Sequence, residues 1–457
     1  MAKRIYLCLA HMSEEGIEQK YIQEAFDTNW VVPLGPNVNG FEKDLEEFVK
    51  GKEDVSKQEN SSLLTTPLEK KRVVALSSGT AAVHLALIAC GVGPGDEVIV
   101  QSFTFCASSH PITYLGAKPV FVDSEKDTWN MDPALLEIAI KDRIAKTGKA
   151  PKAIVPVALY GMPYKIDEIM EIADRYDIPV IEDAAEGFGS RFQGQVLGTF
   201  GKYGVLSFNG NKMITTSGGG ALICPDDESW QKIMWYATQA RESYPYYQHE
   251  AIGYNYRMSN ICAGIGRGQM TMADKHIKHH QHVQALYEEY LKDTKGIQVH
   301  AQPASGEYDS NYWLCTILLD PQLKVKGQEN AYKTVVKGAV GGAAGVIHTA
   351  DSATTDCQPN DNVEAMRMGL DALGIESRPL WKPMHCQPVY KTDKFEVSSL
   401  KFQNGEVVCQ TSEKSVAYIN GISEALFKVG MCLPAGPCVT DEDVKFICDS
   451  IKSLLIP

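Results

Sequence analysis

Ile178-Pro179-Val180-Ile181-Glu182-Asp183-Ala184-Ala185-Glu186 is an apolar run that stops abruptly at a cluster of carboxylates. Immediately before it, Ile166 to Tyr176 carries a helical pattern, and outward in both directions the alternation continues. Upstream lie strand-like Arg72-Val-Val-Ala-Leu76, helical Ala81 to Cys90, then strand-like Glu97-Val-Ile-Val100, Pro119-Val-Phe-Val122 and Ala153-Ile-Val-Pro-Val157, with a helical Pro133 to Lys146 between the last two. Downstream come Gly204-Val-Leu-Ser-Phe208 and Gly220-Ala-Leu-Ile-Cys224. Uninterrupted apolar strands separated by helices predict an α/β fold with a largely parallel sheet covered on both faces. Such sheets place ligands at the carboxyl ends of their strands, where Asp183 falls.

The chain has 457 residues, enough for more than one domain. Residues 1–293 are expected to form a large domain, with helices from about Ser229 to Asp293, and residues 294–457 a smaller C-terminal α+β domain. Two segments read as surface insertions: polar Gly51 to Lys71, and Gly327 to Asn362, rich in Gly, Ala, Thr and Asp.

Three stretches carry chemistry. In Leu206-Ser207-Phe208-Asn209-Gly210-Asn211-Lys212, followed by Ile214 to Gly220, a strand ends and a lysine sits before a glycine-rich return. A buried lysine can serve as nucleophile and proton carrier, and neighbouring glycines admit a flat cofactor; a solvated loop lysine is the competing reading. Asp183, at a buried strand end, can hold the pyridine nitrogen of pyridoxal phosphate (PLP) protonated and make the ring an electron sink, or simply cap the next element. Ser77-Ser78-Gly79-Thr80-Ala81-Ala82, at a strand-to-helix turn, exposes the backbone N–H groups of Gly79 and Thr80 as an anion site suited to a phosphate ester. Ordinary helix capping competes there too. The turn lacks the Gly-Lys-Ser/Thr of a Walker loop and the glycine fingerprint of a nicotinamide site.

Composition narrows the partners. A net charge of −13 argues against nucleic acid. No apolar run of about 18 residues predicts a membrane span. Ile5 to Ala10 is followed by polar Ser13-Glu14-Glu15 without a small-residue cleavage site, so no secretory signal is expected and a cytoplasmic enzyme is. The twelve cysteines, with no Cys-x-x-Cys pair, read as buried thiols in a reducing compartment, and no metal site is expected.

Phosphate turn, acidic strand end and lysine, in that order, resemble the sugar aminotransferases of the DegT/StrS-like group, almost from end to end of the chain. The resemblance implies PLP fold type I (aspartate-aminotransferase-like), with Lys212 forming the Schiff base and Asp183 the pyridinium partner. It implies Gly79, Thr80 and Ser207 at the phosphate, Phe105 stacked on the ring, and Glu186 near the ring hydroxyl, where the family often has His or Gln. Gly253-Tyr254-Asn255-Tyr256-Arg257-Met258 is similar to the segment that reaches a neighbouring subunit. Asn255 would there touch the partner's cofactor phosphate, implying a homodimer with shared sites. Trp30, within Asn29 to Pro36, and Arg257, Arg378, Lys382 and His385 are the expected substrate residues. Asn209-Gly210-Asn211-Lys212 replaces the commoner His-x-x-Lys. With Trp381 to His385, it is similar to the branch that aminates C4 of UDP-4-keto-6-deoxy-N-acetylglucosamine on the way to bacillosamine. Glutamate as donor follows from the same resemblance.

The alternatives are a GDP- or dTDP-linked keto-sugar, a sugar dehydratase of the same fold, which would carry histidine in place of Lys212, and a non-catalytic PLP-binding protein. A histidine cluster at 276, 279, 280 and 282, interleaved with Lys275 and Lys278, reads as a solvated helix face rather than a zinc site.

Overall fold

The computed structural model describes residues 4–50, 68–332, 357–390, 396–402 and 405–456. Most of the two expected insertions, 51–67 and 333–356, lies outside the described residues.

The strands that matter, in chain order, are β1 (Arg72–Leu76), β2 (Glu97–Gln101), β3 (Lys118–Val122), β4 (Ile154–Val155), β5 (Ile181–Asp183), β6 (Tyr203–Ser207), β7 (Gly220–Cys224), β8 (Ile297–Val299), β9 (Cys315–Leu319), β10 (Arg378–Pro379), β11 (Glu396–Phe402), β12 (Gly405–Thr411), β13 (Val416–Ile419) and β14 (Gly430–Leu433). The parallel pairs β5·β6, β2·β4, β2·β3 and β3·β13 form the centre of a large sheet. Parallel bridges Ile154↔Val180 and Val157↔Asp183 join its two halves. β7 runs antiparallel between β6 and β1, and β12 between β11 and β13, so the expected parallel sheet carries reversed strands towards both of its ends.

The apolar runs are continuous because both faces are covered. Val73 and Ala75 of β1 point into one core with Ile99, Val120 and Ile154, while Val74 and Leu76 point into the other with Val98, Val100 and Phe121. The helix Gly79–Ala89 lies on the second face, its alanines Ala81, Ala82 and Ala86 fully shielded. Small side chains let it approach β7 and β6 closely.

A second sheet, in the order β8-β9-β14-β10, packs its own core with helices Ala273–Leu291, Asp361–Ala372 and Asp441–Leu454. The expected division after residue 293 is crossed by strand pairing, both where Tyr308 pairs with Phe192 and in the large sheet itself. β11, β12 and β13 come from the C-terminal part yet extend the large sheet, Val416 pairing with Val120. β13 is a short apolar run of four buried residues, with nothing in its sequence to name its partner.

Helices were expected from Ser229 to Asp293. They occupy Asp227–Ala237, Asn260–Met270 and Ala273–Leu291, and the intervening segment around Pro245 and Gly253 is non-helical. The Cβ that an alanine would add at Gly253 would lie 2.1 Å from the Gln239 carbonyl carbon, so this backbone packs against its neighbour directly.

Candidate active site

Three parallel strands and their following loops open on one cavity of about 370 Å³, within the range of small-molecule and cofactor sites. β1 delivers Ser78 and Gly79, β5 delivers Asp183, and β6 delivers Ser207, with Lys212 on the loop beyond. The loop after β2 contributes Phe105 and Ser108.

At the phosphate turn, Ser78 adopts extended backbone and its hydroxyl accepts from Ala81 N at 3.0 Å, capping the helix. The amides of Gly79 and Thr80 open that helix and have no carbonyl a turn behind them. Side chains are excluded from the turn by close approach. A Cβ on Gly79 would come within 3.0 Å of Ser207 Cβ, and one on Gly220 within 2.4 Å of Gly79 N.

Asp183 is 5 % exposed. Its Oδ2 accepts from Ser108 Oγ at 2.6 Å and its Oδ1 from Ala185 N at 3.1 Å. Burial nevertheless pushes this carboxyl above its ordinary range, with those two bonds and Lys212 opposing. Lys212 Nζ lies 3.4 Å from Glu186 Oε1 and 4.1 Å from the centre of the Trp313 ring. Trp313 is itself held by its Nε1 donating to Asn211 O at 2.7 Å. Glu186 Oε2 accepts from Tyr160 N at 2.7 Å, and burial raises this carboxyl too, against Lys212. Tyr160 has φ 54°, a left-handed backbone that this bond to its amide helps fix.

The chemistry of this set fits PLP. A cofactor phosphate would meet the amides of Gly79 and Thr80 and the hydroxyls of Ser78 and Ser207, which line the cavity together. A protonated ring nitrogen would relieve the buried negative charge of Asp183, whose carboxylate keeps lone pairs beyond the two it uses. Trp381 lines the same cavity, and its Nε1 is a buried donor without a partner.

The expected substrate residues fare differently. Arg257 forms a buried pair with Glu42 and donates to Ala75 O at 3.0 Å, so it fastens β1 instead of facing the cavity. His385 is 5 % exposed and spans Ser102 Oγ at 2.6 Å and Glu424 Oε1 at 3.1 Å. Arg378 is exposed and pairs with Glu376 at 3.0 Å. Lys382 lines a groove beside Phe105 and Trp381 that adjoins the cavity. Asn255 is exposed and outside its own chain's cavity, as is Trp30, whose carbonyl accepts from Asn260 Nδ2 at 2.9 Å. Trp313, Tyr160 and Ser108 were not anticipated. Trp313 lies a hundred residues past the lysine motif, and only its fold position brings it there.

The histidine cluster also departs from expectation. His276 and His280 are 2 % and 0 % exposed, and each donates Nδ1–H to a carbonyl at 3.1 Å, of Met213 and Tyr312 respectively. They are core residues that hold the segments next to Lys212 and Trp313. Only His282 is solvated, facing Asp441 at 2.9 Å.

The profile of the DegT/DnrJ/EryC1/StrS aminotransferase family matches residues 12–344. The chain belongs to that family. It is a PLP-dependent transaminase, of the kind that acts on nucleotide sugars. EpsN of Bacillus subtilis, which bears the name of a pyridoxal phosphate-dependent aminotransferase, is 40 % identical over 97 % of this chain and 94 % of its own. GDP-perosamine synthase of Escherichia coli O157:H7 is 32 % identical over 98 % of both chains. A DegT DnrJ EryC1 StrS aminotransferase from Brucella abortus superposes with a TM-score of 0.73 at 25 % identity, over 96 % of this chain and 95 % of its own. When bound, PLP supplies the electron sink that stabilises negative charge at the carbon bearing the nitrogen. Among the described residues no helix is long and apolar enough to cross a membrane.

Proposed function

We propose that this DegT/StrS aminotransferase moves the amino group of L-glutamate to C4 of a nucleotide-linked 4-keto-6-deoxy sugar, UDP-4-keto-6-deoxy-N-acetylglucosamine in the first place. The product serves surface-glycan or glycoprotein sugar synthesis in the cytoplasm. The observation that carries the reading is the convergence of Lys212, Asp183 and the Ser78–Thr80 turn on one cavity. Lys212 Nζ takes the proton from the α-carbon of glutamate and returns one to C4 of the sugar. Asp183 holds the proton on the ring nitrogen throughout, and Glu186 keeps Lys212 in reach. Such positioned proton transfer contributes about 10²–10⁴-fold. Phe105 covers the ring, while Ser207 with Gly79 and Thr80 anchors the phosphate.

The active form is a homodimer in which Asn255 completes the partner's phosphate site. Tyr246, Tyr247 and Ile252, just before it, are 62 %, 79 % and 83 % exposed, an apolar patch suited to a second copy. None of the described cysteines forms a disulfide, which suits a reducing compartment.

A second reading, a GDP-linked 4-keto-6-deoxy sugar as acceptor, draws on the full-length likeness to GDP-perosamine synthase. Absorbance of the purified protein with and without glutamate tests the donor half. UDP-, GDP- and dTDP-keto-sugars are then compared by reversal of the spectral change. A spectrum that glutamate leaves unchanged defeats the donor assignment, and reversal by GDP-sugar alone selects the second reading.

A further inference from the structure

Away from the cofactor cavity, three stretches of chain bring ligand-type side chains together. Cys357 precedes the helix Asp361–Ala372, Cys386 ends the short helical turn Met384–Cys386, and Glu424 lies in the first turn of the helix Ile422–Val429. The two sulfurs and a carboxylate oxygen all fall within 4.8 Å of one another. The cysteines are 4 % and 3 % exposed and share a small buried cluster with Phe427. We infer that Cys357, Cys386 and Glu424 bind a zinc ion.

Zinc takes thiolate at about 2.3 Å and carboxylate at about 2.0–2.2 Å, which sets tetrahedral ligand atoms roughly 3.5–3.8 Å apart. A contraction of about 1 Å or less therefore turns this triad into three corners of a tetrahedron, leaving the fourth to water. Two thiolates select zinc over magnesium and calcium, which prefer all-oxygen shells. Two thiolates, one carboxylate and Zn²⁺ leave one net negative charge, and Lys382 and Lys428 act on Cys357 as nearby positive charges.

His385 completes the arrangement from outside. Its Nε2 reaches Glu424 Oε1 at 3.1 Å while Nδ1 is held by Ser102 Oγ at 2.6 Å, the kind of partner that orients a metal-bound carboxylate. The ion would tie down the Trp381–Cys386 loop, whose Trp381 lines the cofactor cavity. The ligands lie too far apart in sequence to form a recognisable zinc spacing. The inference is independent of which sugar the enzyme aminates.

The test is metal content of the full-length PLP-loaded enzyme after zinc loading and dialysis into metal-free buffer, measured by inductively coupled plasma mass spectrometry. A single zinc per chain is expected, lost in Cys357→Ser and in Cys386→Ser, and bound about 10–100-fold more weakly in His385→Asn. X-ray absorption at the zinc edge of the unsubstituted protein should show two sulfur ligands, which keeps the test decisive if a variant misfolds. Absence of retained zinc in the unsubstituted protein, or equal retention by both serine variants, overturns the site.

Discussion

The two sides of the active site were built from the same kind of motif and came out differently. On the cofactor side, Ser78, Asp183, Ser207 and Lys212 converge on one cavity. On the substrate side, Arg257 and His385 are each engaged by another protein group and buried. The contrast is one of backbone. A residue at the carboxyl end of a parallel strand has its direction set by the sheet, so its position in sequence predicts where it points. A basic residue in a loop motif has no such constraint, and a carboxylate nearby claims it, Glu42 for Arg257 and Glu424 for His385.

Four measurements can break or sharpen that contrast. The largest effect belongs to Lys212→Ala, which should lower turnover by at least about 10²–10⁴-fold and erase the absorbance change with glutamate. Normal turnover in that variant would empty the cofactor side of its meaning. Arg257→Met should lower unfolding free energy by about 3–5 kcal/mol, because it strands Glu42 in the interior, and should leave KM for the nucleotide sugar unchanged. A raised KM at unchanged stability would return Arg257 to the substrate.

Lys382→Met, removing the one expected cation that borders the cavity's groove, should raise KM about tenfold with kcat little altered, the scale of one charged contact to phosphate. An unchanged KM would leave the substrate side without any of its expected cations. The fourth effect concerns pH. Burial lowers His280 from its ordinary value to about 3. The unfolded chain therefore takes up a proton below about pH 6.5 that the folded one refuses, and stability falls from there towards pH 3. His280 accounts for up to about 1.4 kcal/mol per pH unit of that slope. Denaturant midpoints between pH 4 and 7 should show a shallower acid limb in His280→Gln, and an identical limb would mean that the imidazole charges within the fold.

The sheet was legible because each of its early strands is an uninterrupted apolar run, and a run buried on both faces leaves no other reading. Asp183 and Ser207 reach the cavity because they end two of those strands. The histidines were misread for want of weighing their spacing against their polarity. His276 and His280 continue the three- and four-residue spacing of Val283, Tyr287 and Leu291, the buried stripe of one helix. Their single hydrogen bonds to carbonyls make that burial tolerable. Trp313 carries no local signal, since its place over Lys212 depends on how the second sheet docks.

The pairing of β13 with β3 has a consequence for how the protein is made. A ribosome delivers the whole Arg72–Cys224 region long before Val416 emerges, so β3 waits as a bare edge during synthesis. Pairing of that sequence separation is slow, and a waiting apolar edge invites association with other nascent chains. Truncation before residue 416 should therefore yield an insoluble fragment instead of an autonomous cofactor-binding half, and the growing chain should depend on chaperone shelter until its last quarter is complete.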